Sequence, residues 1–374
     1  MNATRREWYG QRLHVTMVPK EQSIRVFSQV DSYKQRFPEK MAALDEQIAH
    51  YCLQNQEGSQ ERAVKRRVRD ELRKTVRKVF PDGLLIPVGS TVTRLCVKRS
   101  DFDLCLCVLN EDGVYSDDRQ FVHETLQELH DAFMVEKPTM VAFHRYISQT
   151  TVPIIRIYLT EEFGDMEVDI NCNVIAQFYS NHLVRHYVLF DERVQPLIMA
   201  IKSWASNAGI LDSQKGRLNS FSFVMMAIHF LQSVCSPPIV PNLNGLFPHV
   251  FKPFINIKCI SGPHHLCIPS KFELEPNDRS PAELLLAFIA YFAEFNWDQH
   301  AIVIREGRLI TRQYTIEESV FEMYIEEPYD RFNTTRTVKS SQDRDDIVRI
   351  FDRMVKGIFE DGSIDITELL SRKA

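Results

Sequence analysis

Gly89-Ser90, Ser100-Asp101-Phe102-Asp103-Leu104 and Met166-Glu167-Val168-Asp169-Ile170 are the stretches that decide the fold. In a β-strand, successive side chains alternate between faces. Asp101 and Asp103 then point one way, about 7 Å apart along the strand. Phe102 and Leu104 point the other way, into apolar packing. Asp169 sits likewise between the apolar Val168 and Ile170. Carboxylates aimed at one spot repel unless a cation lies between them. Hard divalent cations take oxygen ligands and share them with substrate phosphates. Each piece alone has a bland reading: a solvent-facing D-x-D, an ordinary Gly-Ser turn, a surface Asp. The joint pattern is specific, and it predicts a two-metal site for phosphoryl transfer. Gly89-Ser90 fits a turn whose backbone amides approach a triphosphate, because Gly has no side chain to block the approach.

Outward from this core, Leu84 to Val88, Leu104 to Leu109, Val152 to Leu159 and Met166 to Ile170 read as strands. A helical pattern at Gln120 to Ala132 separates the second from the third. This order predicts a small mixed sheet with helices on one side. Upstream, Glu61 to Lys78 is an amphipathic helix with an apolar stripe of Val64, Val68, Leu72 and Val76. Its remainder holds nine Lys or Arg against three Asp or Glu. A solvated basic face is the plainer reading of that run, and a phosphate-contacting surface the sharper one. Phe37 to Tyr51 reads as another helix, and residues 1–34 as a loosely packed arm, with Trp8 and Tyr9 as candidate nucleic-acid contacts.

From about Tyr179 the pattern turns helical. Val194, Leu197, Ile198, Ile201 and Trp204 form one stripe, and Phe221 to Leu231 is apolar nearly all round. Ser280-Pro281-Ala282-Glu283 is a capping box with Pro in the first turn. Asp343 to Phe359 is a last amphipathic helix. Ser236 to Pro269 reads as a long irregular insertion. Within it lie Cys259, His264, His265 and Cys267, which are zinc-ligand types at a non-standard spacing, so an ordinary loop is the favoured reading. The expected organisation is an arm at 1–34, a helix at 35–57, a catalytic domain at 58–180 and a helical domain at 181–374.

The 374 residues carry a formal net charge of −5. A protein that grips long nucleic acid alone usually carries a basic surplus. Any nucleic-acid contact is then either local and brief, or a partner supplies the grip. The eight cysteines are scattered, and the first residues lack the apolar core of a secretory signal. Reduced thiols, no membrane association and a cytoplasmic or nuclear setting are the expectation.

The G-S, D-x-D and D layout resembles the DNA polymerase β-type nucleotidyltransferases. Ile201-Lys202-Ser203-Trp204-Ala205, Leu218-Asn219-Ser220-Phe221-Ser222-Phe223, Phe295-Asn296-Trp297 and Ile325-Glu326-Glu327-Pro328-Tyr329-Asp330 narrow the match. They resemble the non-canonical cytoplasmic poly(A) polymerases of the germline-development type, from about Leu84 to Val338. The resemblance implies an α+β enzyme: a polymerase β-like domain, a mainly helical central domain and a cleft between them. It implies two Mg²⁺ or Mn²⁺ ions on Asp101, Asp103 and Asp169, with ATP and an RNA 3′ end as substrates. Gly89, Ser90, Lys202 and Ser220 would hold the triphosphate. Phe221 would stack on the base, and Ser180 and Asn181 would lie near the ribose. Glu327, Asp330, Phe332, Asn333 and Arg336 would line the base edge. Uridine-preferring relatives carry His where Phe332 stands, which implies ATP over UTP. A separate RNA-binding protein would choose the targets, since no RNA-recognition module is legible. The rival readings are a uridylyltransferase, an inactive scaffold and a small-substrate nucleotidyltransferase.

Overall fold

In the computed structural model, residues 15–16, 20–98, 100–136, 138–164, 166–253, 256–260, 274–312 and 321–370 are described. The chain divides into two units: residues 53–189 with 249–267, and residues 1–52, 190–248 and 268–374.

In order, the elements begin with β1 (Val15–Thr16), α1 (Lys20–Arg36), α2 (Pro38–Asn55) and α3 (Ser59–Val79). Next come β2 (Leu84–Pro87), α4 (Ser90–Thr93), β3 (Phe102–Cys107) and α5 (Arg119–Val135). Then follow β4 (Val141–Ile147), β5 (Ile154–Leu159), β6 (Glu167–Cys172), α6 (Ala176–Phe190) and α7 (Val194–Asn207). The rest are α8 (Ser220–His229), α9 (Leu243–Leu246), α10 (Ile257–Ile260), α11 (Pro281–Ala293), β7 (His300–Val303), β8 (Arg308–Thr311) and α12 (Ser341–Val355).

The first unit is built on a five-stranded sheet of order β2-β3-β6-β5-β4. β3 and β6 run parallel and the other neighbours antiparallel. One face carries the main core, where Val68, Leu72 and Val76 of α3 and Leu126, Leu129 and Phe133 of α5 meet the inward strand residues. The four-residue spacing of the α3 stripe puts its branched side chains on one helix face. A smaller core on the other face joins Cys105 and Cys107 of β3 to Val88, Phe178, Ile257 and Ile260. The sheet therefore carries packing on both faces, not on one.

The second unit is mainly helical, with a three-stranded sheet β1-β8-β7. α11 is buried along almost its whole length, started by the Ser280–Glu283 capping box. Helix α1 buries Val26, Phe27, Val30 and Tyr33 and packs on α11.

Two expectations need correction. Residues 20–34 are a docked helix and no loose arm, because α11 supplies the apolar partner that their sparse stripe lacks alone. The catalytic unit also runs on to residue 189 and takes in 249–267, because α6 packs through Phe178 onto the strand holding Asp103. Cys259 is exposed, while His264, His265 and Cys267 lie outside the described residues, as do Trp8 and Tyr9. The seven described cysteines are free thiols. Among the described residues no helix is long and apolar enough to cross a membrane.

Candidate active site

β3 and β6 place Asp103 directly opposite Asp169 in parallel register. Register partners in a pleated sheet share a face, so the two carboxylates project to the same side. Asp101 stands just ahead of β3, which begins at Phe102. Asp101 is exposed, whereas Asp103 is half-buried. Burial raises the Asp101 carboxyl, and the charge on Asp169 raises it further. Asp103 is pushed up to about 7 by burial first, then by Asp169 and Asp101. The three acids therefore share one field, and negative charge there is under-compensated.

Gly89 closes the site from the β2 side. Its backbone lies at φ +71°, and a Cβ built there would fall 2.5 Å from Asp103 Oδ2. Conformation and space both demand glycine. The Val88 amide donates to the Asp103 carbonyl at 3.0 Å, and Ser90 opens the short helix α4.

Two neighbours escaped the sequence reading. Arg156 of β5 lies opposite Asp169 and grips it with two bonds, Nε to Oδ1 at 2.8 Å and Nη2 to Oδ2 at 2.7 Å. Among the described residues, no three His, Cys, Asp or Glu side chains enclose a point as a ready-made metal cage, and Arg156 occupies both Asp169 oxygens. Lys65 is the second. It sits on the α3 run read as a basic face, yet it is buried and bonded to Glu57 at 2.8 Å. Its Nζ also meets Thr91 and Cys96 and lies 5.5 Å from the centre of the Phe102 ring. Burial lowers the Lys65 pKa, but Glu57 and Cys96 together hold it above the usual value. Its charge favours the ionised forms of both Asp101 and Asp103. A buried Lys within a basic run has no sequence mark; only Glu57, eight residues earlier, hints at it. Elsewhere on α3 many cations pair with acids, as in Arg67 with Glu162 and Lys78 with Glu136, which is the solvated-face reading.

In the helical unit, Ser220 is exposed at the first position of α8, and Phe221 is half-buried behind it. Asn219 caps that helix through Ser222 N at 2.8 Å and donates to the Thr334 carbonyl at 2.8 Å. Ser222 Oγ donates to Thr334 Oγ1 at 3.0 Å. The Ser220–Phe221 corner is thereby tied to the loop carrying Phe332 to Arg336. Within that loop Asn333 is spent internally. Its Oδ1 accepts from the Ile325 and Thr335 amides, and its Nδ2 donates to the Met323 carbonyl. These bonds hold the loop together. Glu327 accepts the Tyr329 and Asp330 amides, and burial together with Asp330 raises its pKa. Asp330 accepts the Phe332 amide. Phe332 is 54% exposed, and Arg336 is exposed as well. Lys202 is half-buried on α7.

In the sheet unit, Ser180 and Asn181 are buried on α6. Among the described residues, Asn181 Nδ2 has no bonding partner, an unused donor from which a hydroxyl could accept.

A glycine turn pressed against a D-x-D strand, with a third acid in register on the next strand, defines a nucleotidyltransferase of the polymerase β type. Residues 44–189 match the model of the mitochondrial-like poly(A) RNA polymerase central palm domain, and residues 282–333 match that of the Cid1 family poly A polymerases. The chain belongs to the non-canonical poly(A) polymerase family. Human Poly(A) RNA polymerase GLD2 is 31% identical over 311 residues, 82% of this chain and 62% of that protein. Caenorhabditis elegans Poly(A) RNA polymerase gld-2 is 32% identical over 281 residues, 73% of this chain and 24% of that protein. The chain thus spans less than two thirds of the length of these relatives. A solved GLD-2/RNP-8 complex aligns at a TM-score of 0.74 and 29% identity, covering 88% of this chain and 98% of that one. The Cid1 poly(U) polymerase shares the fold at a TM-score of 0.70 and 23% identity, covering 88% of this chain and 98% of that one.

Proposed function

We propose that this chain adds AMP from ATP to RNA 3′ ends without a template. The observation that carries this reading is the register that sets Asp103 of β3 opposite Asp169 of β6, with Asp101 just ahead of β3 and Asp103 raised to about 7 by burial first and then by the two other acids. A half-buried carboxyl in that state fits a divalent cation, and the donor set is all oxygen, as Mg²⁺ or Mn²⁺ prefers. Asp101, Asp103 and Asp169 would hold two such ions. When bound, they would acidify the RNA 3′-hydroxyl and offset charge on the leaving pyrophosphate.

The protein's own part is positioning. Gly89 lets the backbone come close to the phosphates. Ser90, Lys202 and Ser220 contact the triphosphate, with Lys202 as a point charge. Phe221 and Phe332 offer flat apolar surface to the base. Asp169 faces the 3′-hydroxyl and takes its proton, once Arg156 yields one of its two bonds. The cationic Arg156 then stays beside the acids and keeps Asp169 aimed. The GLD2 relatives at about 31% identity, all named as poly(A) RNA polymerases, favour ATP as the nucleotide.

Solved relatives are complexes of GLD-2 with RNP-8 and with GLD-3. We therefore expect a second protein to choose the RNA for this chain too. The test of the activity is incubation of purified protein with labelled oligo(A), each of the four nucleotides in turn, and Mg²⁺ or Mn²⁺. Extension with ATP supports it; UTP used equally or better overturns it.

A further inference from the structure

The site face of the sheet is covered over β3 and bare over β4. Over β3, the cysteines lie under Phe178, Ile257 and Ile260. Over β4, the same face presents Phe143, 56% exposed, and Arg145, also exposed. The register pairs Phe143 with Tyr158 and Arg145 with Arg156. The two rings stack at 5.8 Å and 29°. The opposite face of β4 is the packed one, with His144 against His130 and Phe133 of α5.

Such a surface needs explaining. β4 is an edge strand, where an exposed aromatic invites unwanted pairing. No acid pairs with Arg145 among the described residues. The apolar part is two flat rings beside arginines, without the broad apolar centre of a stable protein interface. Flat rings beside an unpaired cation are the composition that holds single-stranded nucleic acid, by stacking bases and drawing phosphates. The position is continuous with the acids, because the cross-sheet row runs Arg145, Arg156, Asp169, Asp103.

We propose that the β4–β5 face is a platform for the last nucleotides of the RNA strand before its 3′ end. Phe143 and Tyr158 stack on bases, and Arg145 takes a backbone phosphate. The platform rests on the reading that Asp169 faces the RNA 3′-hydroxyl. A strand reacting there leaves the acids along this row. Stacking of this kind tolerates any base, which suits an enzyme that extends ends without a template.

The test uses the full chain with Phe143→Ala and Arg145→Ala combined, and labelled oligo(A). Loss of one stacked base and one phosphate contact should raise the KM for oligo(A) about tenfold or more, with kcat and the KM for ATP within about twofold. Phe143→Trp keeps a flat ring and should retain the normal KM, which separates stacking from mere folding. Arg145→Ala alone should lower the slope of log affinity against log salt by about 0.7. An unchanged KM for oligo(A) in the double variant overturns the platform. So does a loss that shows only when a second protein is present, which makes the face a protein dock. Direct binding of oligo(A), followed by fluorescence anisotropy, keeps this inference separate from the activity. A chain that binds oligo(A) through these residues but adds no nucleotide sinks the transfer reading and leaves the platform standing.

Discussion

Two groups of acids in this protein meet the same problem in different ways. Asp103 and Asp169 sit on the sheet, with Asp101 just ahead of β3; Glu327 and Asp330 sit in a loop of the helical unit. Burial raises the pKa of both Asp103 and Glu327. In the loop, two backbone amides bond Glu327 and one bonds Asp330, which offsets the rise at Glu327 only in part. The sheet group has Arg156 for Asp169 and a more remote Lys65, which leaves Asp103 largely uncompensated. Relief supplied from within marks an element that holds its shape. The sheet group is where we propose that a cation binds.

The largest expected effect breaks the sheet side of this contrast. Asp101→Ala or Asp103→Ala removes a proposed metal ligand, which on this reading is worth several kcal/mol in the transition state, about 10³-fold or more in rate. Gel assays of oligo(A) extension should show no product, while circular dichroism shows a normal fold. Arg156→Ala comes next. It removes two charge-assisted bonds, so the sheet unit should lose about 2 kcal/mol by urea unfolding. The same change frees Asp169, so the Mn²⁺ concentration for half-maximal activity should fall. A higher metal requirement would make Arg156 a support for the cations and not their competitor.

On the loop side, Phe332→His places a polar group on an exposed position. UTP use relative to ATP should rise roughly tenfold, the scale of one hydrogen bond, measured in paired extension assays. The smallest effect is on stability without metal. The folded chain holds a proton on Asp103 up to about pH 7, whereas the unfolded chain loses it near pH 4. This contribution is full below about pH 4 and is lost as pH rises towards about 7. At pH 8, Asp103→Asn should therefore melt higher than the unaltered metal-free chain. An equal or lower melting temperature would mean that the field at Asp103 is weaker than described.

Strand alternation made the acids legible: Phe102 and Val168 are buried on the face opposite Asp103 and Asp169, as the pattern required. What escaped is what depends on register between distant segments. β4 (VAFHRYI) carries an irregularity between Val141 and Phe143, and its buried His144 hides the alternation. Nothing near Arg156 names Asp169, because their pairing is set by the β5–β6 register. Lys65 looks like its solvated neighbours until Glu57 folds against it. The bonds that tie Asn333 into its loop leave no mark in the sequence, because an amide suits a base edge as well as it suits a loop backbone. The sparse stripe of α1 gains meaning only against α11.

The central claim concerns cations, so counting them is the direct test. Mn²⁺ can be titrated into purified chain with a non-hydrolysable ATP analogue and followed by electron paramagnetic resonance. The account predicts tight Mn²⁺ uptake that disappears when Asp101 and Asp103 are both changed to Asn. Unchanged uptake in that double variant would contradict it.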